Sequence, residues 1–351
     1  MAKSSQARTG LGRTVAVCAI LFVILVFAFL ISSVVGSQRL PIAGTFCALT
    51  GKSDCALTGE ERAILLDIRI PRLLLAGAVG TCLAAAGAAY QALLRNPLAE
   101  PYLLGVSNGA AVGTMTALVF FTAYGWTRPV FAFAGAVVAT LAVYQLARGR
   151  AGATLERLIL AGVIVTTFLS SAIVFITTVM DATRIRSFTF WLLGDLSGTS
   201  SSLLTVAFGA VAVGVLLLIL NARGLNLMML GERDAFDLGV EVTRVRLIVF
   251  TAASLLVGAS VASSGSVGYV GLVVPHLVRL SFGSDNRLVI PAAAIAGATF
   301  VIIADTLART LIAPRELPVG AITALIGAPL FIYLLKRGNG YARVSRASKR
   351  N

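Results

Sequence analysis

The stretch RLLLAGAVGTCLAAAGAAYQALLR (72–95) decides the fold, because 22 residues separate Arg72 from Arg95 and none of them carries a charge. A helix over that interval is about 33 Å long at 1.5 Å per residue, enough to cross roughly 30 Å of hydrocarbon. Lipid offers the backbone no hydrogen-bond partners, so such a segment must satisfy its N–H and C=O groups internally as a helix. Comparable runs recur throughout the chain. Charge, Pro and Gly bound them at roughly 14–35, 69–94, 101–121, 128–147, 154–180, 200–221, 242–262, 266–282, 288–312 and 318–336, which predicts an all-α membrane protein of about ten transmembrane helices.

Composition agrees. Of 351 residues 58% are hydrophobic and 13% charged, with a mean hydropathy of +0.92, against roughly 25% charged in soluble domains. A signal peptide accounts for one apolar stretch, not ten. No linker or low-complexity block interrupts the series, so residues 1–351 read as a single transmembrane domain with a short cytoplasmic N-tail (1–13) and C-tail (338–351). The net charge of +14 is scattered over segment ends instead of forming a basic stripe with interleaved aromatics, which argues against nucleic acid as a partner.

Ten spans put both termini on one side. With the termini inside, about two-thirds of the 29 Lys and Arg residues face the cytoplasm, as expected when positive loops are retained during insertion. The expected location is therefore the cytoplasmic (inner) membrane, multi-pass and in contact with lipid, with both termini cytoplasmic.

The third and eighth spans carry Pro97, Pro101 and Gly105, and Gly268, Gly271 and Pro275. Such interruptions occur both in broken helices lining a polar path and in close helix packing. RLLLAGAVGTCLAAAG (72–87) faintly echoes RLIVFTAASLLVGASVASSG (246–265), and each precedes a short Pro-containing span. This suggests two inverted halves, spans two to five and seven to ten.

A membrane enzyme needs clustered ionisable groups, and none is evident. TGKS (50–53) resembles the end of a phosphate-binding loop, but the pattern requires Gly where Phe46 stands. His276, the single histidine, has no second His or Cys at metal-ligand spacing, so no metal site is expected. Asp305 and Arg309 lie one helical turn apart and are placed to pair within the ninth span. Cys47 and Cys55 share an external loop facing an oxidising compartment and are expected to form a disulfide.

The chain has no nucleotide site of its own, so any ATP must be used by a partner on a cytoplasmic surface. The densest such surface is LGERDAFDLGV (230–240): Glu232, Arg233, Asp234 and Asp237 are read as facing solvent, with Ala235, Phe236 and Leu238 offering apolar contacts. A solvated loop is the other reading of that segment.

Four blocks, IRIPRLLLAGAVGTCLAAAGAAYQALLRNPLAEPYLLGVSNGAAVG (68–113), LGERDAFDLGV (230–240), SSGSVGYVGLVVPHLVRL (263–280) and ELPVGAITALIGAPLFIYLLK (316–336), together resemble the FecCD-type permeases of iron-siderophore, haem and cobalamin ABC importers. The resemblance implies a type II ABC importer permease that pairs with a second copy of itself, is driven by two ATPase subunits, and receives a metal chelate from an extracytoplasmic substrate-binding protein. It implies that ATP and Mg are used by the partner ATPase and that this chain binds no cofactor and is not an enzyme. It also places ATPase coupling at Leu230, Gly231, Glu232, Arg233, Asp234, Asp237, Leu238 and Gly239. Binding-protein docking falls at Arg69, Arg72 and Arg309, and a cytoplasmic gate at Asn96, Leu98, Thr154 and Leu155, with a departure at Leu155, where family members often carry a small polar residue. The alternative is an ion-coupled secondary transporter that uses Asp305.

Overall fold

A computed structural model describes residues 10–52, 55–121, 126–149 and 152–347; most of the expected N-tail and the last four residues of the C-tail lie outside them. Seven helices are long and apolar enough to cross a bilayer: Leu11–Val34, Gly59–Leu93, Thr127–Ala147, Leu155–Val179, Ser201–Leu220, Val242–Ser264 and Asn286–Thr310. Three shorter apolar helices, Val106–Phe120, Val270–Phe282 and Val319–Leu334, take the places of spans three, eight and ten. Ten spans thus stand where ten were expected.

Span two begins earlier than its charge pattern suggested. Thr58 caps a helix start at Gly59 through a reciprocal box, with Glu61 N–H donating to the Thr58 hydroxyl (3.2 Å) and Thr58 N–H to the Glu61 carboxylate (2.8 Å). A π-helical turn, Ile64–Arg69, joins that cap to the membrane helix Ile70–Leu93. The helix of span ten continues to Ala347, so the expected C-tail begins as helix. Shorter helices at Ile42–Leu49, Ala182–Leu192 and Ala222–Met228 lie in the connections. A pair of two-residue antiparallel strands, Arg148–Gly149 and Gly152–Ala153, is the sole strand pairing among the described residues.

Spans two, seven and nine form the core. Over its most apolar window span two is 83% buried, against 6% for span one and 17% for span five. Small residues make this density possible, since interhelical packing in lipid relies on close backbone approach. A β-carbon at Gly80 would overlap the carbonyl of Gly297 in span nine, and one at Gly87 would overlap that of Gly271 in span eight.

The breaks precede the short helices. After Leu94 the chain turns through Arg95 (φ 48°) and a 3-10 turn, Pro101–Leu104, to Gly105 (φ 75°), where span three starts. After Ser264 it unwinds through Gly265 (φ 68°) to Tyr269 (φ 66°), where span eight starts. Pro275, by contrast, sits inside its helix. Helices of 15 and 13 residues cover only about 20–23 Å, so each leaves part of the bilayer depth to the unwound backbone before it.

Candidate functional site

The two unwound segments meet. The Tyr102 hydroxyl donates to the Val267 carbonyl (3.1 Å) and accepts from the Val267 N–H (3.0 Å), and Glu100 accepts from the Tyr269 N–H (3.3 Å). Gln91 of span two donates to the Leu272 carbonyl (3.1 Å) at the first turn of span eight. Side chains from one half therefore satisfy backbone groups freed by the break in the other, the condition for irregular backbone at membrane depth.

At the surface between spans six and seven, residues 230–240 fold as a short helix, Glu232–Asp237. It ends in a Schellman arrangement, with Val240 N–H donating to the Ala235 carbonyl (3.0 Å), Gly239 N–H to that of Phe236 (2.9 Å), and Gly239 at φ 82°. Acidic Glu232 and Asp234 occupy its first turn, where the helix dipole favours negative charge. Ala235 is the buried anchor, while Leu230, Phe236 and Leu238 are 68%, 71% and 62% exposed. Two expectations need correction: Ala235 faces inward instead of offering an outer contact, and Glu232 does not simply face solvent. Its carboxylate lies 2.5 Å from Arg246 at the start of span seven and 3.8 Å from Arg95 at the end of span two. Nothing in the spacing of these residues announced that link, which joins positions far apart in sequence.

Asn96 and Leu98 follow Arg95 directly and are exposed, and the Asn96 side chain accepts from the Leu98 N–H (2.9 Å) to form a tight turn. Thr154 is exposed at the N-cap of span five and Leu155 is half-buried. The four expected gate residues thus sit at the ends of spans two and five on the same side as the 230–240 helix. Span five leaves a broad face open, including Leu160, Ile164, Phe168 and Phe175, and its Thr167 and Ser171 hydroxyls bond back to their own helix.

At the opposite end lie the three arginines expected to dock a binding protein. Arg69, Arg72 and Arg309 are 4%, 7% and 5% exposed. Arg72 pairs with Asp305 (2.9 Å) and Glu316 (2.7 Å), and Arg309 with the other oxygen of Asp305 (2.9 Å). Arg69 donates to the carbonyls of Ser33 (2.8 Å), Val34 (2.9 Å) and Gln38 (2.8 Å), closing the C-terminal end of span one. Internal acceptors hold the three guanidiniums, and Gly36 of the loop after span one packs directly on Arg69. The expected Asp305–Arg309 pair is present, and Arg72, which the four-residue spacing could not reveal, is the second cation on that carboxylate. An ion carrier needs a carboxylate free to exchange its partner, whereas each oxygen of Asp305 is held by a guanidinium and the residue is fully buried.

Cys47 and Cys55 are joined by a disulfide with Cα atoms 5.6 Å apart. His276 is half-buried, with its ring edge-on to Phe331 at 6.1 Å. Among the described residues no group of three or more His, Cys, Asp or Glu side chains could hold a metal ion.

Residues 24–337 match the FecCD transport family. The chain belongs to that family. Among its FecCD-family relatives, the hemin transport system permease protein of Yersinia pestis is 42% identical over 279 residues, covering 78% of this chain and 83% of that protein. An uncharacterized ABC transporter permease protein of Bacillus subtilis is 40% identical over 325 residues (89% and 92%), and a cobalamin import system permease protein of Halobacterium salinarum is 41% identical over 275 residues (78% and 74%). A solved inward-facing structure of a metal-chelate type ABC transporter superposes with a TM-score of 0.82 at 30% identity, over 92% of this chain and 99% of that one. The chain is accordingly a multi-pass ABC transporter permease with the FecCD fold.

Proposed function

We propose that this permease conducts a metal chelate of the ferric siderophore, haem or cobalamin class inward, as a pair of identical subunits worked by two cytoplasmic ATPases and supplied by an extracytoplasmic binding protein. The observation that carries the reading is the 230–240 helix. Its outward apolar side chains offer a docking surface, and its Glu232 is tied to the ends of spans two and seven. A push on Phe236 or Leu238 is delivered through a short, bracketed helix to Arg95, directly beside Asn96 and Leu98. Leu230, Gly231, Arg233, Asp234, Asp237 and Gly239 complete that coupling surface, and Asn96, Leu98, Thr154 and Leu155 form the cytoplasmic gate.

The permease supplies geometry, and ATP and Mg belong to the partner ATPase. ATP binding draws the two ATPases together, the coupling helices follow, and the inner ends of spans two and five rearrange; hydrolysis resets them. Both termini face the cytoplasm, as the distribution of Lys and Arg supports. Residues 1–351 act as one permease domain. The arginine cluster at the outer end takes part in docking only through rearrangement of the loop over Arg69, so binding-protein contact there begins with that loop.

The test is uptake of labelled ferric siderophore, haem and cobalamin by liposomes carrying the permease with its ATPase and binding protein. Accumulation of one of these chelates, dependent on all three components, is the expected result. Failure of every chelate, with accumulation of a substrate of another class, would overturn it.

A further inference from the structure

We propose that the cleft between spans four and seven holds an acyl chain of an anionic phospholipid whose phosphate is met by Arg148 and Arg244. The cleft has a volume of about 150 Å³ and is walled by Val137, Leu141, Tyr144, Leu247, Phe250 and Leu255. It opens outward, since Leu141 and Leu247 are 54% and 42% exposed. Two of the three Ser and Thr side chains along it are turned inward: Thr140 donates to the Ala136 carbonyl (2.9 Å) and Ser254 pairs with the buried Tyr90 hydroxyl (2.6 Å). Apart from the exposed Thr251, what remains is a largely hydrocarbon surface. A cleft that opens onto the bilayer with such walls is filled by hydrocarbon in preference to water.

Depth and charge select the occupant. Tyr144 lies three residues before the end of span four at Ala147, and Leu247 five residues after the start of span seven at Val242. Val137 and Leu255 lie about 15–20 Å in from those ends, so the cleft runs from the interface to mid-bilayer, the reach of one leaflet's acyl chain. Arg148 stands just past Ala147, and Arg244, which pairs with the exposed Glu241 carboxylate (3.4 Å), one turn before Leu247; both arginines are exposed. Two cations against that one solvated carboxylate leave net positive charge at the interfacial mouth of an apolar cleft, which complements a lipid phosphate above its chain. The proposed orientation decides only which leaflet supplies the lipid, the cytoplasmic one.

The test is native mass spectrometry of the full chain released from nanodiscs of equal phosphatidylglycerol and phosphatidylethanolamine. Wild type should retain phosphatidylglycerol in preference. Thr251→Trp, which fills the cleft from an exposed position, should lose that adduct, and Arg148→Gln with Arg244→Gln should reduce the preference on the order of tenfold. Equal retention of both lipids by wild type, or unchanged preference in the arginine variant, would overturn the proposal. So would full retention by a folded Thr251→Trp protein, which would mean that the lipid sits elsewhere. If Thr251→Trp does not assemble, the arginine variant, altered only at exposed positions, decides. Chelate uptake is not read in this experiment, so its failure is distinct from failure of the transport assignment.

Discussion

The Glu232 carboxylate lies 2.5 Å from the Arg246 guanidinium and 3.8 Å from that of Arg95, so one side chain on the 230–240 helix links the end of span two to the start of span seven. Arg246 is largely buried and Glu232 is half-exposed. Solvent screening limits the value of such a link to about 1 kcal/mol, which suits a joint that transmits motion more than one that holds the fold. Glu232→Gln should therefore leave thermal stability close to wild type, preserve ATPase binding, and lower uptake per ATP hydrolysed. Parallel assays of ATPase rate and uptake in the same liposomes read that ratio. An unchanged ratio would assign Glu232 to surface solvation alone.

Phe236 and Leu238 are exposed and their own fold does not need them, so Phe236→Asp should shift stability by no more than about 0.5 kcal/mol. If the ATPase buries Phe236, the same change removes about 1.5–3 kcal/mol of docking energy. Co-purification of ATPase with the Phe236→Asp permease should then fall by more than tenfold. Undiminished co-purification would move the docking surface elsewhere.

Asp305 is the shared anion of Arg72 and Arg309. Asp305→Asn leaves the buried Arg309 without its anion and Arg72 with Glu316 alone, a loss of about 3–5 kcal/mol for a buried pair broken on one side. Thermal unfolding in detergent should shift strongly downward, while Glu316→Gln, at the exposed end of the network, should cost about 1 kcal/mol or less. A stable Asp305→Asn protein with selectively abolished uptake would instead revive ion coupling at that residue.

The Cys47–Cys55 bridge closes a short loop between spans one and two. Thiol labelling of the intact protein should modify neither residue without reductant and both after it, and Cys47→Ala with Cys55→Ala should cost about 2–3 kcal/mol, by constraint of the unfolded chain. Labelling of both without reductant would refute the bridge.

The ten spans were legible because lipid makes the criterion simple: a long uncharged run must be helix. Thr58 and Glu61 show what that criterion misses, since their capping box lengthens span two outward through polar sequence where hydropathy is silent. The breaks near Pro101 and Gly268 were visible as Pro and Gly, but which residues answer them was not: Tyr102 reaches Val267 across 165 positions, and no local pattern encodes such a contact. The arginines show the same limit. The resemblance placed docking at Arg69 and Arg72, yet the carbonyls ending span one and the Asp305 carboxylate supply enough acceptors to hold them inside.

On the proposed coupling, this permease moves its cargo only when a partner hydrolyses ATP on the face carrying Glu232 and Phe236. That dependence is tested most directly by measuring chelate accumulation in sealed liposomes containing the purified permease, with and without the ATPase subunits, under imposed proton and sodium gradients. Accumulation that appears only with the ATPase and ATP is the predicted result. Uphill accumulation driven by either gradient in liposomes lacking the ATPase would contradict the account.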